Sequence, residues 1–172
     1  MTDITYVLTL PYLALPVLGA ALAVGLSAFG SATGISIAGQ VADGVLAENP
    51  DIFGRILIFV AMPGTQGIYG FLGAFLILFK SGYIGGAPYA DMSLSQAWAF
   101  AFAGLPVGLG GWVSGIWQGK VCATGISLAV KKPEAMMKGV VYGAMVETYA
   151  ILGLLITILA LNGINVPVPP VK

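Results

Sequence analysis

Residues 139–161 read GVVYGAMVETYAILGLLITILAL, an apolar run long enough to cross a bilayer as one helix. Tyrosines aside, Glu147 is the only ionisable side chain between Lys138 and the C-terminal tail. An unpartnered carboxylate in hydrocarbon is costly, so Glu147 must either carry a proton or be held ionised by a cation and hydrogen-bond donors. Both states suit an ion carrier, which makes Glu147 the first candidate functional residue.

The remainder of the chain is similarly apolar. Of its 172 residues, 58% are hydrophobic and 8% are charged, and the formal net charge is zero. Such a composition indicates membrane lipid, not nucleic acid, as the surrounding partner. Four apolar segments, each longer than the roughly 20 residues needed to span, lie at Tyr12–Leu46, Phe53–Phe79, Ala97–Val130 and Gly139–Leu161. The sequence therefore predicts an all-α membrane protein with four transmembrane helices.

The connections between these segments indicate two hairpins. Residues 48–51 (ENPD) and residues 131–134 (KKPE) are short proline-containing turns that suit antiparallel helices. The connection between the hairpins, Ser81–Asp91, is longer and rich in glycine. Residues 1–3 carry no basic side chain, so we interpret the N-terminal segment as a first helix and not as a signal peptide.

Basic residues set the expected orientation. They flank both short connections, whereas the middle connection has only Lys80. Because basic residues collect on the cytoplasmic side, we expect both hairpin loops to face the cytoplasm. An even number of spans then places both termini on the opposite side of the cell membrane, and Lys172 in the tail after Pro167–Pro170 does not alter this. The flanking residues are Arg55, Lys131, Lys132 and Lys138.

The two hairpins are duplicated, because adding about 83 to a residue number in the first half reaches a matching residue in the second. In this register Glu147 corresponds to Gly64, so only one hairpin carries the carboxylate. The sequence thus divides into residues 1–84 and residues 85–172. The matches are Gly25 and Gly108, Ser31 and Ser114, Pro50 and Pro133, Asp51 and Glu134, Arg55 and Lys138, Ala61-Met62 and Ala144-Met145, Thr65 and Thr148, and Gly70 and Gly153.

Glycine is concentrated in the first and third helices, near one face of each. Small residues let helix backbones approach closely in lipid. This pattern allows either tight packing within a four-helix monomer or the inner layer of a ring of many copies, with the second and fourth helices facing lipid. The glycines are Gly19, Gly25, Gly30, Gly34 and Gly39 in the first helix, and Gly104, Gly108, Gly111, Gly115 and Gly119 in the third.

Duplicated hairpins, glycine-rich odd helices and one carboxylate in the last helix together resemble the proteolipid of V-type ATPases, the rotor-ring c or K subunit. The resemblance covers nearly the whole chain. It is most specific in residues 62–70 (MPGTQGIYG) and 144–150 (AMVETYA), which look like the bacterial sodium-pumping branch. It implies a homo-oligomeric ring, a stator membrane subunit that supplies an arginine, and a central-stalk subunit at the cytoplasmic loops. The expected stalk contacts are Glu48, Asp51, Arg55, Lys131 and Lys132.

The implied role is ion translocation without catalysis by this chain. No G-x-x-x-x-G-K-[ST] phosphate loop is present in the sequence, so partner subunits would hydrolyse or synthesise ATP. Whether the complex works as a pump or as an ATP synthase is left open by the sequence.

The resemblance also implies a Na⁺ site. Its oxygen ligands would be the Met62 carbonyl, Thr65, Gln66, Gln118 and Glu147, with Tyr69 donating a hydrogen bond to the carboxylate. Positions 62, 65, 66 and 69 share one helical face. Gln118 and Glu147 lie 15 and 14 residues from Pro133, so they can meet at one depth. Several neutral oxygens around one carboxylate favour Na⁺ over H⁺.

Alternatives remain for this site and for the whole chain. The same ring could carry H⁺, and Gln66 and Gln118 could be interhelical hydrogen-bonding residues. A stand-alone channel is disfavoured because the helices offer no continuous polar lining, and a secondary transporter because its repeats are usually inverted.

Other polar residues have structural interpretations. We expect Thr148 and Thr157 to bond back to their own helix, Lys120 to extend away from the site, and Cys122 to be a packing residue. Histidine is absent and Cys122 is the single cysteine, which excludes an imidazole metal site and an intrachain disulfide.

Overall fold

The structure, a computed structural model, describes residues 4–84 and 92–165, without the side chains of residues 4–11 and 13. In this part of the chain four helical units are long and apolar enough to cross a membrane, which confirms the predicted fold class. They are span 1 (Ala14–Glu48), span 2 (Pro50–Lys80), span 3 (Leu94–Lys131) and span 4 (Pro133–Gly163).

Six α-helices build these spans, together with short 3-10 turns. The helices are α1 (Ile4–Glu48), α2 (Phe53–Ala61), α3 (Thr65–Lys80), α4 (Leu94–Ala103), α5 (Leu105–Lys131) and α6 (Met136–Gly163). The 3-10 turns are Pro50–Ile52, Met62–Gly64 and Pro133–Ala135. Two predicted features lie outside the described residues. One is Gly85–Asp91 of the middle connection, which includes the predicted start of the second half at residue 85, and the other is the Pro167–Pro170 tail.

Two spans are interrupted, each beside a proline. In span 2, Pro63 has no N–H to continue the helix, and the 3-10 turn Met62–Gly64 separates α2 from α3. In span 3, Gly104 separates α4 from α5, and Pro106 lies in the first turn of α5, where a missing N–H is tolerated. The interruption in span 2 falls at the depth of the predicted ion site.

Helices α1 and α5 approach so closely that backbone meets backbone. A Cβ atom on Gly115 would lie 2.6 Å from the carbonyl carbon of Gly30, and one on Gly119 would lie 2.7 Å from that of Gly34. Glycine is required at these positions because any side chain would separate the helices. The tight packing predicted for the odd helices is therefore present.

The even-numbered spans cover the odd-numbered ones. Helix α3 packs on α1, and α6 packs on α5. The most apolar windows of spans 1 and 3 are 44% and 50% buried, against 33% and 17% for spans 2 and 4. Spans 2 and 4 thus present more apolar surface outward, as a lipid-facing layer requires.

A polar layer lies between two hydrophobic clusters. One cluster contains Ile77, Phe100 and Val107, and the other contains Phe59 and Ile126, nearer the hairpin turns. The buried polar side chains between them are Ser27, Ser31, Gln66, Ser114 and Gln118. Two of them, Gln66 and Gln118, lie at the level where Glu147 enters from span 4.

Candidate functional site

Glu147 receives hydrogen bonds on both carboxylate oxygens. Tyr69 Oη donates to Oε1 at 2.7 Å, and Gln118 Nε2 donates to Oε2 at 3.3 Å. The donors come from spans 2 and 3, so three spans meet at this carboxylate. Glu147 itself is half-buried, which leaves it within reach of a group outside the chain.

Gln66 and Gln118 form the buried wall of the site. Both side chains are fully buried, and Gln66 Nε2 donates to Gln118 Oε1. Gln118 Nε2 also donates to the Gly143 carbonyl at 3.0 Å. Gln66 Oε1 has no hydrogen-bond partner among the described residues, although a buried acceptor left unsatisfied costs about 1–3 kcal/mol. The site therefore retains a strong acceptor that a bound cation could use.

Met62 and Thr65 lie at the interruption of span 2. The Met62 carbonyl accepts the backbone N–H of Thr65 and also the Thr65 hydroxyl, at 3.0 Å from Oγ1. The carbonyl oxygen predicted as a ligand is thus already paired with the neighbouring predicted ligand. The Thr65 oxygen keeps lone pairs for a cation, whereas the Met62 carbonyl has a donor for each of its two lone pairs and could coordinate once the Thr65 hydroxyl turned away.

The structure brings together Glu147, Tyr69, Gln118 and Gln66 in one hydrogen-bonded cluster. Thr65 directly precedes Gln66 at the start of α3. Because of their helical spacing, Met62, Thr65, Gln66 and Tyr69 lie on one face of span 2, as the sequence indicated.

Three further hydrogen bonds join the spans to one another. Ser31 Oγ accepts from the Gly67 N–H at 2.7 Å, and Ser27 Oγ donates to the Val107 carbonyl at 2.9 Å. Thr157 Oγ1 accepts from the Val107 N–H at 3.2 Å. The sequence analysis did not single out Ser27 and Ser31. Their position as small polar residues in a glycine-rich helix could have indicated an interhelical role, but their hydrogen-bond partners depend on how the helices pack.

The two threonines of span 4 differ. Thr148 Oγ1 donates to the Met145 carbonyl of its own helix at 2.7 Å, which confirms its structural interpretation. Thr157 is fully buried and accepts from the Val107 N–H of span 3, so its role is structural as expected, but the bond joins two spans and does not return to its own helix. The cause is the start of α5, where first-turn N–H groups lack partners within the helix.

The charge of the site is limited to one carboxylate. Among the described residues, no three His, Cys, Asp or Glu side chains gather as a metal-binding group. Lys120 lies with its ammonium 4.0 Å from the centre of the Trp117 ring, on the exposed side of α5. Cys122 is a buried free thiol in the cluster that contains Phe59 and Ile126. One negative charge suits a single proton or a monovalent cation.

The predicted stalk-contact residues lie at the hairpin turns. All five are exposed, and the two turns lie at the same end of the molecule, since Ile52 and Met136 pack on one cluster. The five are Glu48, Asp51, Arg55, Lys131 and Lys132. They form a mixed-charge surface at this end.

Comparisons with known proteins agree with this architecture. The family of the ATP synthase C subunit matches residues 18–77 and again residues 101–160, and the second match begins 83 residues after the first. This confirms the duplicated hairpins and their register.

Three relatives are similar over most of this chain. The K subunit of the V-type sodium ATPase of Enterococcus hirae is 46% identical over 83% of this chain and 87% of its own length. The K subunit of the A-type ATP synthase of Methanocaldococcus jannaschii is 41% identical over 88% of this chain and 64% of its own length. The 16 kDa proteolipid of the V-type proton ATPase of Nephrops norvegicus is 30% identical, over 83% and 86%. The chain therefore belongs to the family of the ATP synthase C subunit, as a rotor c/K proteolipid of the V- and A-type ATPases.

Proposed function

We propose that this protein carries Na⁺ on Glu147 as its ring turns within a V-type ATPase. The observation that carries the proposal is the cluster itself. A carboxylate with donors on both oxygens is joined through Gln118 to the buried Gln66 amide, whose oxygen has no partner among the described residues. Each carboxylate oxygen keeps a lone pair beside its donor, so a proton or a cation could bind while both donors stay in place. The Gln66 oxygen, which has no partner among the described residues, offers a neutral ligand that supports the cation.

The available ligands are hard oxygen atoms, which suit Na⁺. Glu147 supplies the charge, while the amides of Gln66 and Gln118 can turn their oxygens toward the ion. The Thr65 hydroxyl supplies a further neutral oxygen, and the Met62 carbonyl would supply another once the Thr65 hydroxyl turned from it toward the ion. With a single carboxylate, the loaded site is electrically neutral, whereas a divalent ion would leave a positive charge inside the membrane.

The relatives' names include both ions, since the Enterococcus protein belongs to a sodium ATPase and the Nephrops protein to a proton ATPase. The amide pair supports Na⁺ for this chain, because a proton carrier needs only a carboxyl and one acceptor. H⁺ transport by the same ring is the second candidate.

Neutrality also explains how rotation would be coupled to transport. A loaded Glu147 tolerates lipid, whereas the empty anion requires a positive charge nearby. An arginine of the stator membrane subunit would provide that charge, and the half-buried carboxylate leaves room for it. The ion would therefore be released at the stator and rebound before the carboxylate re-enters lipid, while partner subunits hydrolyse or make ATP.

The hairpin turns would face the cytoplasm and contact the central stalk. Their basic residues support this orientation, and their exposure supports contact with another protein of the complex. Both termini would lie on the opposite side.

Carbodiimide labelling of the purified protein tests the cargo, because the reagent attacks the protonated carboxyl group. Na⁺ in the millimolar range or below should protect Glu147 and lower the pH at which it reacts, and K⁺ should not. Glu134, which is exposed at the second hairpin turn, is the internal control, and its labelling should not change with Na⁺. Labelling of Glu147 that follows pH identically with and without Na⁺ would assign H⁺ as the cargo.

A further inference from the structure

Buried polar side chains stop at the level of the ion site. In the part of the chain that the structure describes, they lie either level with Gln66 and Gln118 or farther from the hairpin turns. Nearer the turns, the buried side chains belong to the cluster that contains Phe59 and Ile126, and they are apolar apart from the thiol of Cys122. The two sides of the site therefore differ in polarity. The buried hydroxyls on the far side are those of Ser27, Ser31, Ser81, Ser114 and Thr157.

Phe59 fills a notch between spans 3 and 4, on the side of the site that faces the turns. Its side chain is fully buried, and its ring occupies the space beside Gly125 and Gly139. A Cβ atom on Gly125 would lie 2.8 Å from Cδ1 of the ring, and one on Gly139 would lie 3.2 Å from Cε1. A side chain at either glycine would displace the ring, so the two glycines make the space that the ring fills.

Met62 and Cys122 close the space between Phe59 and the ion site. Cys122 follows Gln118 by four residues, so it lies on the same face of α5, one turn nearer the hairpin turn. A Cβ atom on Gly143 would lie 3.3 Å from Cys122 Sγ and 3.4 Å from Met62 Sδ, so both sulfur atoms pack at this glycine. The carbonyl of Gly143 accepts a hydrogen bond from Gln118. The sulfur layer therefore borders the wall of the site itself.

The interruption of span 2 falls in the same layer. Helix α2 ends at Ala61, and Pro63 has no N–H to offer the Phe59 carbonyl four residues earlier. Non-helical backbone at membrane depth is tolerated only where protein buries it or where it lines a water-filled cavity. Here Pro63 is fully buried and Met62 packs on the cluster that contains Phe59. The interruption is therefore covered by apolar packing on the side of the turns.

We propose that Phe59, Met62, Cys122 and Ile126 form an apolar seal between the ion site and the hairpin turns. A cation that moved from Glu147 toward the turns inside the chain would meet no buried oxygen-bearing side chain among the residues that the structure describes. A charge in such surroundings is strongly disfavoured. The seal would therefore confine ion exchange to the half-buried face of Glu147. The inference rests on the proposed ion transport and adds the route that the chain closes to the ion.

Cys122 is the single cysteine of the sequence and can report on the seal. Ag⁺ has the charge of Na⁺ and binds a thiol sulfur, whose proton is released to water. Sealed vesicles that expose the hairpin turns are treated with Ag⁺ in chloride-free buffer, and Cys122 left unreacted is measured by alkylation of the denatured protein. In the parent protein Cys122 should stay unreacted. Phe59→Ser should speed its reaction roughly tenfold or more, because the smaller, polar side chain leaves a cavity that water can occupy.

Two variants control for damage to the packing. Phe59→Leu keeps an apolar side chain and should leave Cys122 as unreactive as in the parent protein. Phe100→Ser makes the same change at a fully buried phenylalanine of the other cluster, and should also leave Cys122 unreactive. If all three variants react alike, Phe59 only supports the fold and the inference fails. Ile126→Thr adds a hydroxyl one turn from Cys122, and it replaces Phe59→Ser, with the same expected result, if that variant does not fold.

Saturating Na⁺ identifies the path that Ag⁺ takes. Ag⁺ that passes through an opened seal should react with Cys122 equally fast with and without Na⁺, whereas Ag⁺ that enters at Glu147 should be blocked by Na⁺. Rapid reaction of the parent protein from the side of the turns, unaffected by Na⁺, would refute the seal. An unreactive parent protein and a reactive Phe59→Ser, without Na⁺ protection of Glu147 from carbodiimide, would support the seal and refute only the Na⁺ cargo.

Discussion

The two hairpins share one register and differ in what they give to the site. The first supplies neutral groups: the Met62 carbonyl, Thr65, the Gln66 amide and the Tyr69 hydroxyl. The second supplies the charge of Glu147 and a second amide, and Gly64 stands where the first would carry its own carboxylate. One complete cluster thus arises from two incomplete halves. A site of this kind needs both hairpins, so the four spans form one such cluster.

The helix interruptions differ between the hairpins as well. In the first, the break at Met62–Gly64 falls at the site and turns a backbone carbonyl toward Thr65. The counterpart of Pro63 is Val146, and α6 runs without a break from Met136 to Gly163. The second hairpin is interrupted instead at Gly104, away from the site. The first hairpin therefore contributes an interrupted backbone beside the site, and the second contributes the charge on an unbroken helix.

The largest effect is expected from removing the charge that distinguishes the second hairpin. Glu147→Gln should lower Na⁺ affinity roughly 1,000-fold, because unit charges about 4 Å apart interact by about 4 kcal/mol at an effective dielectric constant near 20. Binding of radioactive Na⁺ to the detergent-solubilised protein measures this. Glu134→Gln, at the exposed turn, should leave the affinity unchanged. Residual tight binding in Glu147→Gln would place the ion elsewhere.

A smaller effect is expected from the amide of the first hairpin. Gln66→Leu keeps the packing volume but removes Oε1, which has no partner in the part of the chain that the structure describes. It should weaken Na⁺ binding roughly 10- to 100-fold, as expected for a neutral ligand to a charged group. The Na⁺ concentration that half-protects Glu147 from carbodiimide is the readout. The counterpart substitution Tyr149→Leu should change it less than about twofold. If the two substitutions weakened Na⁺ binding equally, the first hairpin would not supply the amide ligand as described.

The Tyr69 hydroxyl should contribute less than the amide. Tyr69→Phe removes the donor to Glu147 Oε1 and should weaken Na⁺ binding about tenfold, because the carboxylate loses the hydrogen bond that orients it. The Na⁺ concentration that half-protects Glu147 from carbodiimide is the readout. Tyr142→Phe, on the exposed face of span 4, is the matched control and should resemble the parent protein.

Much of this site was accessible from the sequence because helical geometry is regular. Residues 62, 65, 66 and 69 share a face by their spacing alone, and the similar distances of Gln118 and Glu147 from Pro133 predicted their common depth. The structure joins Gln66, Gln118, Glu147 and Tyr69 accordingly. The repeat also predicted the hairpins, since turns and charges recur in one register.

What the sequence could not predict depends on which helix ends meet which side chains. Nothing in the spacing indicates that the Gln118 amide also donates to the Gly143 carbonyl, or that Thr65 pairs with the Met62 carbonyl. The hydrogen-bond partner of Thr157 was mispredicted for the same reason. Its role follows from the interruption of span 3, which neither its own helix nor its counterpart Ala74 reveals.

The smallest predicted effect concerns this threonine and tests whether the hairpins differ structurally apart from the site. Val107 lies in the first turn of α5, so its N–H has no acceptor within the helix and uses Thr157 Oγ1. The counterpart Val24 lies inside the continuous α1, where its N–H bonds within the helix, and Ala74 therefore suffices. Thr157→Val should cost about 1 kcal/mol of unfolding free energy, as the loss of a helix cap does, with Na⁺ affinity unchanged. Thermal unfolding in detergent measures the cost, and Thr148→Val, whose bond stays within its own helix, should cost less than about 0.5 kcal/mol. If both substitutions cost the same, Thr157 does not act as a cap, and the two hairpins differ only where they bind the ion.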